Sequence, residues 1–194
     1  PVWMPPQVAE VMNGMQHILT SGRMQHVYVH GRAQGEWKPT PTSGGILECA
    51  HDAFYDSRSQ SIVLPDYTTN SDEDKPGDQK TGYIGKEAWT AYLVDRLEFE
   101  SDKVVHTQGN GDNTKLEFQD YIAEIVRPQG ITGIVVVTQF SHALRAMGGN
   151  LKSLTDVGLA NSVTMVPVWP MPIDWTRSVY GSQGQGPFPF ADWI

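Results

Sequence analysis

The sequence predicts one doubly wound α/β domain on a mostly parallel five-stranded sheet, a Rossmann-like three-layer sandwich. Two observations predict it. Five short apolar runs alternate with stretches of helical spacing, and strands separated by helix-length connections pair in parallel. The run Ile134–Val137, after Gly133, is apolar without alternation, as in a strand buried on both faces.

The elements follow in order. Residues Pro6–Leu19 place Val8, Val11, Met12, Met15, Ile18 and Leu19 at steps of three and four, which is helical, and Gly22 can end that helix. His26–Gly31 is a β-rich run. Arg32–Gly45 holds prolines and glycines and reads as a long covering loop. Gly45–Ser57 is the next helix and Ser61–Leu64 the second strand. Pro65–Gln79 is an acidic loop. Its Asp72–Asp74 run lacks the twelve-residue spacing and closing Glu of a calcium loop. Tyr83–Leu97 is helical and Lys103–Thr107 is the third strand. The turn Gln108–Asn113 leads into a helix over Thr114–Val126, capped by Thr114 or Asp112 and ended by Pro128 and Gly130. Phe140–Leu154 follows the fourth strand. Ser162–Val168 is the fifth, placed at a sheet edge or strand end by Pro167. Residues 169–194, with Trp169, Trp175, Trp193, Phe188 and Phe190, read as an aromatic segment wrapping the domain.

Composition bounds the function. With 39% hydrophobic and 19% charged residues in 194, the chain is of single-domain size and globular in character. A formal net charge of −8 gives no electrostatic footprint for nucleic acid or an anionic membrane. No apolar run reaches the roughly 20 residues of a transmembrane helix. Pro1–Gln16 lacks the pattern of a signal peptide, so the expected location is cytoplasmic. The single Cys49, among apolar neighbours, reads as an inert thiol. The six histidines show no metal-ligand spacing, and His51-Asp52 reads as surface with diverging side chains. There is no GxSxG elbow and no GxGxxG after the first strand.

In an open parallel sheet the ligand crevice lies beyond the carboxyl ends of the strands. Two segments there carry chemistry. In Gly109-Asn110-Gly111-Asp112-Asn113-Thr114 the glycines allow close backbone approach, and a helix amino end attracts anions; the same residues also suit a plain capped turn. In Val137–Ala146, Thr138 ends the strand, and His142 and Arg145 lie three apart on one helix face. Such a pair can bind an anion or move a proton. Gly31 and Arg32 end the first strand beside His30. Glu87 opens a helix after the second strand, either facing the crevice or simply favouring the helix dipole.

These residues resemble the YdcF/SanA/ElyC-like family. The matching residues are Gly31, Glu87-Ala88, Asp112-Asn113-Thr114 with Glu117, and Val137-Thr138 with His142, Arg145 and Ala146. The chain departs from the pattern at Arg32-Ala33-Gln34 and at Pro65-Asp66-Tyr67-Thr68. The resemblance implies a Rossmann-like fold and, for some relatives, S-adenosylmethionine binding or a part in cell-envelope integrity. The expected function is binding of a nucleotide-like or phosphorylated, anionic small molecule, as a transferase- or hydrolase-type enzyme. His142 is the expected acid/base, Arg145 the anion clamp and Glu87 a third catalytic candidate. Gly31, Arg32, Asp66, Gly109, Gly111, Asp112, Asn113, Thr114, Glu117 and Thr138 would line the ligand. The alternative is a non-catalytic S-adenosylmethionine-binding or envelope-interaction module.

Overall fold

The computed structural model describes residues 6–30, 43–65, 89–109, 113–170, 179–180 and 187–188. The order is α1 (Pro6–Leu19), β1 (His26–Val29), α2 (Ser43–Ser57), β2 (Ser61–Leu64), α3 (Tyr92–Arg96, wound as a π-turn), β3 (Val104–His106), α4 (Thr114–Tyr121), α5 (Arg127–Gln129), β4 (Gly133–Val137), α6 (Phe140–Asp156) and β5 (Thr164–Val168). A two-residue antiparallel pair, β6 (Val179–Tyr180) and β7 (Pro187–Phe188), lies apart from the main sheet. No described helix is long and apolar enough to cross a membrane.

The five strands pair in parallel in the order β3-β2-β1-β4-β5. This is the doubly wound α/β architecture. From β1 the chain builds outward through β2 to β3, then returns to β4 on the other flank of β1. Connections that move in opposite directions across a sheet keep one hand only by using opposite faces. The packing obeys this. Val27, Val29, Ile62, Leu64, Val135 and Val137 pack against α1, α2 and α3 through Leu19, Ile46, Leu47, Ala50 and Leu93. The alternate residues Tyr28, Val63, Ile134 and Val136 pack against Phe118, Tyr121, Ile125 and Leu154 on the other face. Every residue of β4 is buried, which explains its unalternating sequence.

The amino end of the sheet is tied by one side chain. Gln25 Oε1 accepts from Thr132 N, Thr132 Oγ1 and Gly133 N. Gln25 N donates to the Gly133 carbonyl at 2.9 Å, and Gln60 N to the Gln25 carbonyl at 2.7 Å. This approach needs glycine at position 133, where a Cβ would stand 2.1 Å from the Arg23 carbonyl oxygen.

Several sequence expectations shift. The first strand spans His26–Val29, α2 begins two residues earlier than Gly45, and α6 extends to Asp156. Only the end of the predicted Tyr83–Leu97 helix lies within the described residues. The helix after β3 does not stop at Pro128. It passes through a π-turn, Ile122–Val126, into α5 and ends at Gly130, whose φ is +65°. Arg127 N reaches back to the Ile122 carbonyl, and Pro128 falls in the opening positions of the next turn. A proline is tolerated there because the first amides of a turn need no helical partner. His51 and Asp52 do not diverge: Nδ1 meets Oδ1 at 3.1 Å, and the ring packs edge-on to Tyr55. Pro167 does lie in an edge strand, opposite Val136.

Gly133→Ala should lower stability by about 1–3 kcal/mol, because the added methyl meets backbone that cannot rotate away. Urea unfolding reads this directly, and an unchanged midpoint would refute the close-approach account.

Candidate functional site

In this strand order the direction of winding reverses between β1 and β4. A crevice forms outside the carboxyl ends of two such strands, where their outgoing connections diverge to opposite faces. The residues that leave these strands are His30 and Thr138. His30 N continues the ladder to the Val137 carbonyl at 2.9 Å, and Thr138 N reaches the Val168 carbonyl at 3.2 Å. Both side chains are fully buried.

Helices α4 and α6 start beside this point. Asn113 caps α4, its Oδ1 accepting from Lys115 N and Leu116 N at 3.1 and 3.2 Å. The cap is therefore neither Thr114 nor Asp112. Relieved of that task, Thr114 turns to α6: its hydroxyl lies 3.2 Å from His142 Nε2. On the far side of the imidazole, Arg145 Nε donates to Nδ1 at 3.2 Å. A guanidinium Nε–H only donates, so Nδ1 accepts and the neutral ring carries its proton on Nε2. The chain runs Arg145 to His142 to Thr114, and it fastens the first turns of two helices together. His142 is buried, whereas Arg145 is exposed. Two helix amino ends and a guanidinium make this corner locally positive in an acidic chain.

Beneath this chain the face of β1 is polar. Alternation places His26, Tyr28 and His30 on the α4 and α6 side. His26 Nδ1 meets the Tyr121 hydroxyl at 3.0 Å. Tyr28 stacks on Tyr121 with 4.6 Å between centroids and stands edge-on to His30 at 5.0 Å. His30 Nε2 takes an N–H of the Asn150 amide at 2.9 Å, and its ring stands edge-on to His142 at 6.0 Å. Glu117, buried in the first turn of α4, adds to burial in pushing the Tyr28 hydroxyl well above its ordinary pKa. Burial first, and then the neighbouring His142, hold His30 down to about 3 against a weaker upward pull from Asn150. Burial alone holds His26 down to about 4. Both histidines are thus neutral spacers of the fold at neutral pH.

The structure joins Thr114, His142 and Arg145 of the sequence-derived set, with Asn113 as the cap of α4; Glu117 is buried near Tyr28 and Thr138 is buried just beyond β4. Gly109 is described just after β3, where a Cβ would lie 2.1 Å from Asp120. Its lack of a side chain is accounted for by contact with α4. Gln108 N beside it donates to Glu124. Gly31, Arg32, Asp66, Glu87, Gly111 and Asp112 lie outside the described residues. Sequence reasoning set His30 at the crevice end of the first strand, where it lies, but missed Tyr28, Asn150 and Ser153. The available signal was periodicity: positions 26, 28 and 30 share one strand face, and 142, 146, 150 and 153 share one helix face.

A groove of about 390 Å³ lies between α1, α2 and the end of β5, away from the β1/β4 corner. Met12, Met15, Glu48, Cys49 and Trp169 are among its lining residues. Burial and then Asp52 push the Cys49 thiol up to about 12, so it is protonated and unreactive at neutral pH.

No family model, no curated protein and no solved structure matches this chain.

The buried histidines set the pH dependence of folding. Their folded pKa values lie below the ordinary 6.5, so the unfolded chain takes up protons first as the pH falls. Their contribution is complete above about pH 6.5 and is lost as the pH falls toward 4 and then 3. Chemical denaturation should show a falling midpoint between pH 7 and 5, and His26→Gln should flatten that slope. An equal slope in the variant would mean that His26 is not held neutral.

Proposed function

We propose that this chain binds a phosphorylated or nucleotide-like small molecule at the carboxyl ends of β1 and β4. One observation carries the reading: the hydrogen-bonded chain Thr114–His142–Arg145, which joins the first turns of α4 and α6 at the point where the sheet reverses its winding. Converging helix amino ends favour a group with several negatively charged oxygens, and an exposed guanidinium beside them adds positive charge. The resemblance to the YdcF/SanA/ElyC-like family points to the same residues, but it names no reaction.

The chain also gives His142 a role. While Arg145 Nε occupies Nδ1, the imidazole is a donor that orients the Thr114 hydroxyl. An anion that draws the guanidinium to itself releases Nδ1, and the ring then becomes able to accept or relay a proton. Acid–base work by His142 would thus begin on ligand arrival, in a transferase- or hydrolase-type reaction.

S-adenosylmethionine, implied by the resemblance, suits these residues at one point, its carboxylate against Arg145. Its sulfonium cation gains nothing from two positive helix ends. The described residues therefore fit a phosphate better, and we derive no step through that cofactor.

The test is thermal shift and calorimetric titration with inorganic phosphate and with adenosine monophosphate. Both ligands should raise the Tm of the native chain. Arg145→Ala and His142→Ala should each abolish the shift. Because Arg145 is exposed, its variant should unfold within about 0.5 kcal/mol of the parent. Early melting of both variants with ligand binding intact would make the two residues structural and end the proposal.

A further inference from the structure

The Arg145 end accounts for a negative charge and leaves the inner end of the same corner unexplained. Among the described residues, five buried side-chain atoms there and along α6 have no hydrogen-bond partner: Tyr28 Oη, His30 Nδ1, Thr138 Oγ1, Asn150 Oδ1 and Ser153 Oγ. A buried polar atom left unpaired costs about 1–3 kcal/mol. Two of the five stand where a ligand would. His30 and Thr138 are the first residues beyond β1 and β4, which lie side by side in the sheet. Continuing the register from Val29↔Val137 sets them level with each other. Thr138 shares the parity of Ile134 and Val136, so it projects to the face covered by α6. His30 is on that face too, bonded to Asn150 and edge-on to His142.

The geometry points to a second, neutral half of the site: His30 Nδ1 and Thr138 Oγ1 receive a hydroxyl of the ligand whose phosphate Arg145 holds. This rests on the proposed anion reading and narrows its ligand to a phosphorylated polyol. The donor pattern selects the group. With an Asn150 N–H directed at Nε2, the neutral ring of His30 carries its proton on Nδ1 and donates there. Thr138 both donates and accepts. A hydroxyl, which accepts one bond and donates another, satisfies both, whereas a second anionic oxygen would find no compensating charge. The low pKa of His30 keeps this end uncharged throughout the neutral range.

Two probes of similar length separate the halves. Glycerol 3-phosphate carries hydroxyls and n-propyl phosphate carries none; inorganic phosphate reports the charged half alone. Calorimetric titration of the full chain should give about ten-fold or greater preference for glycerol 3-phosphate over propyl phosphate, since a site built to pair a hydroxyl discriminates against its absence. Thr138→Val, which keeps the side-chain shape, should erase the preference and leave the affinity for inorganic phosphate unchanged. Equal binding of the two organic phosphates by the parent chain, or a preference that survives Thr138→Val, overturns the neutral half while the Arg145 reading stands. Failure of inorganic phosphate to bind, or binding that ignores Arg145→Ala, overturns the anion reading and this inference with it.

Discussion

The parallel pairing of β1 with β4 is the contact on which the rest of this molecule depends. It joins the strand that starts the winding to the strand that restarts it after the chain has crossed the sheet. Without that ladder, β1-β2-β3 and β4-β5 would be two small sheets, each with a raw apolar edge. With it, one five-stranded sheet has two faces to bury, and each is covered by helices from its own side. The helices that follow β1 and β4 must leave toward opposite faces, and the corner between them opens for the same reason. The position of the site is thus a consequence of topology before any particular residue is considered.

The residues then adapt that corner. A sheet interior normally takes aliphatic side chains, and the α1/α2 face follows this rule except in the edge strand β3, where His106 bonds the Thr90 hydroxyl. The other face does not. β1 presents His26, Tyr28 and His30 to α4 and α6, and α6 presents His142, Asn150 and Ser153 in return. Aromatic stacking recovers part of the cost of burying these groups, through Tyr28 on Tyr121 and the edge contacts with His30 and Phe118. One face of the domain is built for stability, and the other carries a polar seam leading to the switch point.

Much of this was legible in the sequence. The strands and helices follow from apolar period and turn residues, and the unalternating Ile134–Val137 run marked the central buried strand. Thr114, Thr138, His142 and Arg145 were legible because they cluster at strand ends and helix starts, whereas Glu117 entered only through the family resemblance. What escaped notice had physical reasons. A polar residue on an otherwise apolar stripe, such as Asn150, looks like a surface residue until its partner across the interface is known. That partner, His30, is 120 positions away. Asn113 was passed over as the cap because Asp112 and Thr114 are also good caps, and local chemistry does not choose among adjacent candidates. Gly130 ends the helix as the sequence indicates, whereas Pro128 does not, because it falls in the opening positions of the turn that follows the π-turn. His51 and Asp52 met because a flexible rotamer pair can bend toward each other even when their Cβ directions diverge.

The proline in β5 has a further consequence. Thr164 N donates to the Thr132 carbonyl, and the Val168 carbonyl accepts from Thr138 N, so the backbone groups of 164, 166 and 168 face β4. Those of Met165 and Pro167 therefore point outward. Pro167 removes an N–H from the open border of the sheet and costs the interior no bond. At the opposite border β3 is three residues long. A strand from another molecule would find a missing donor on one flank and too short a template on the other. Both borders are thus poor templates for a further strand, which is how an edge strand limits pairing with another chain.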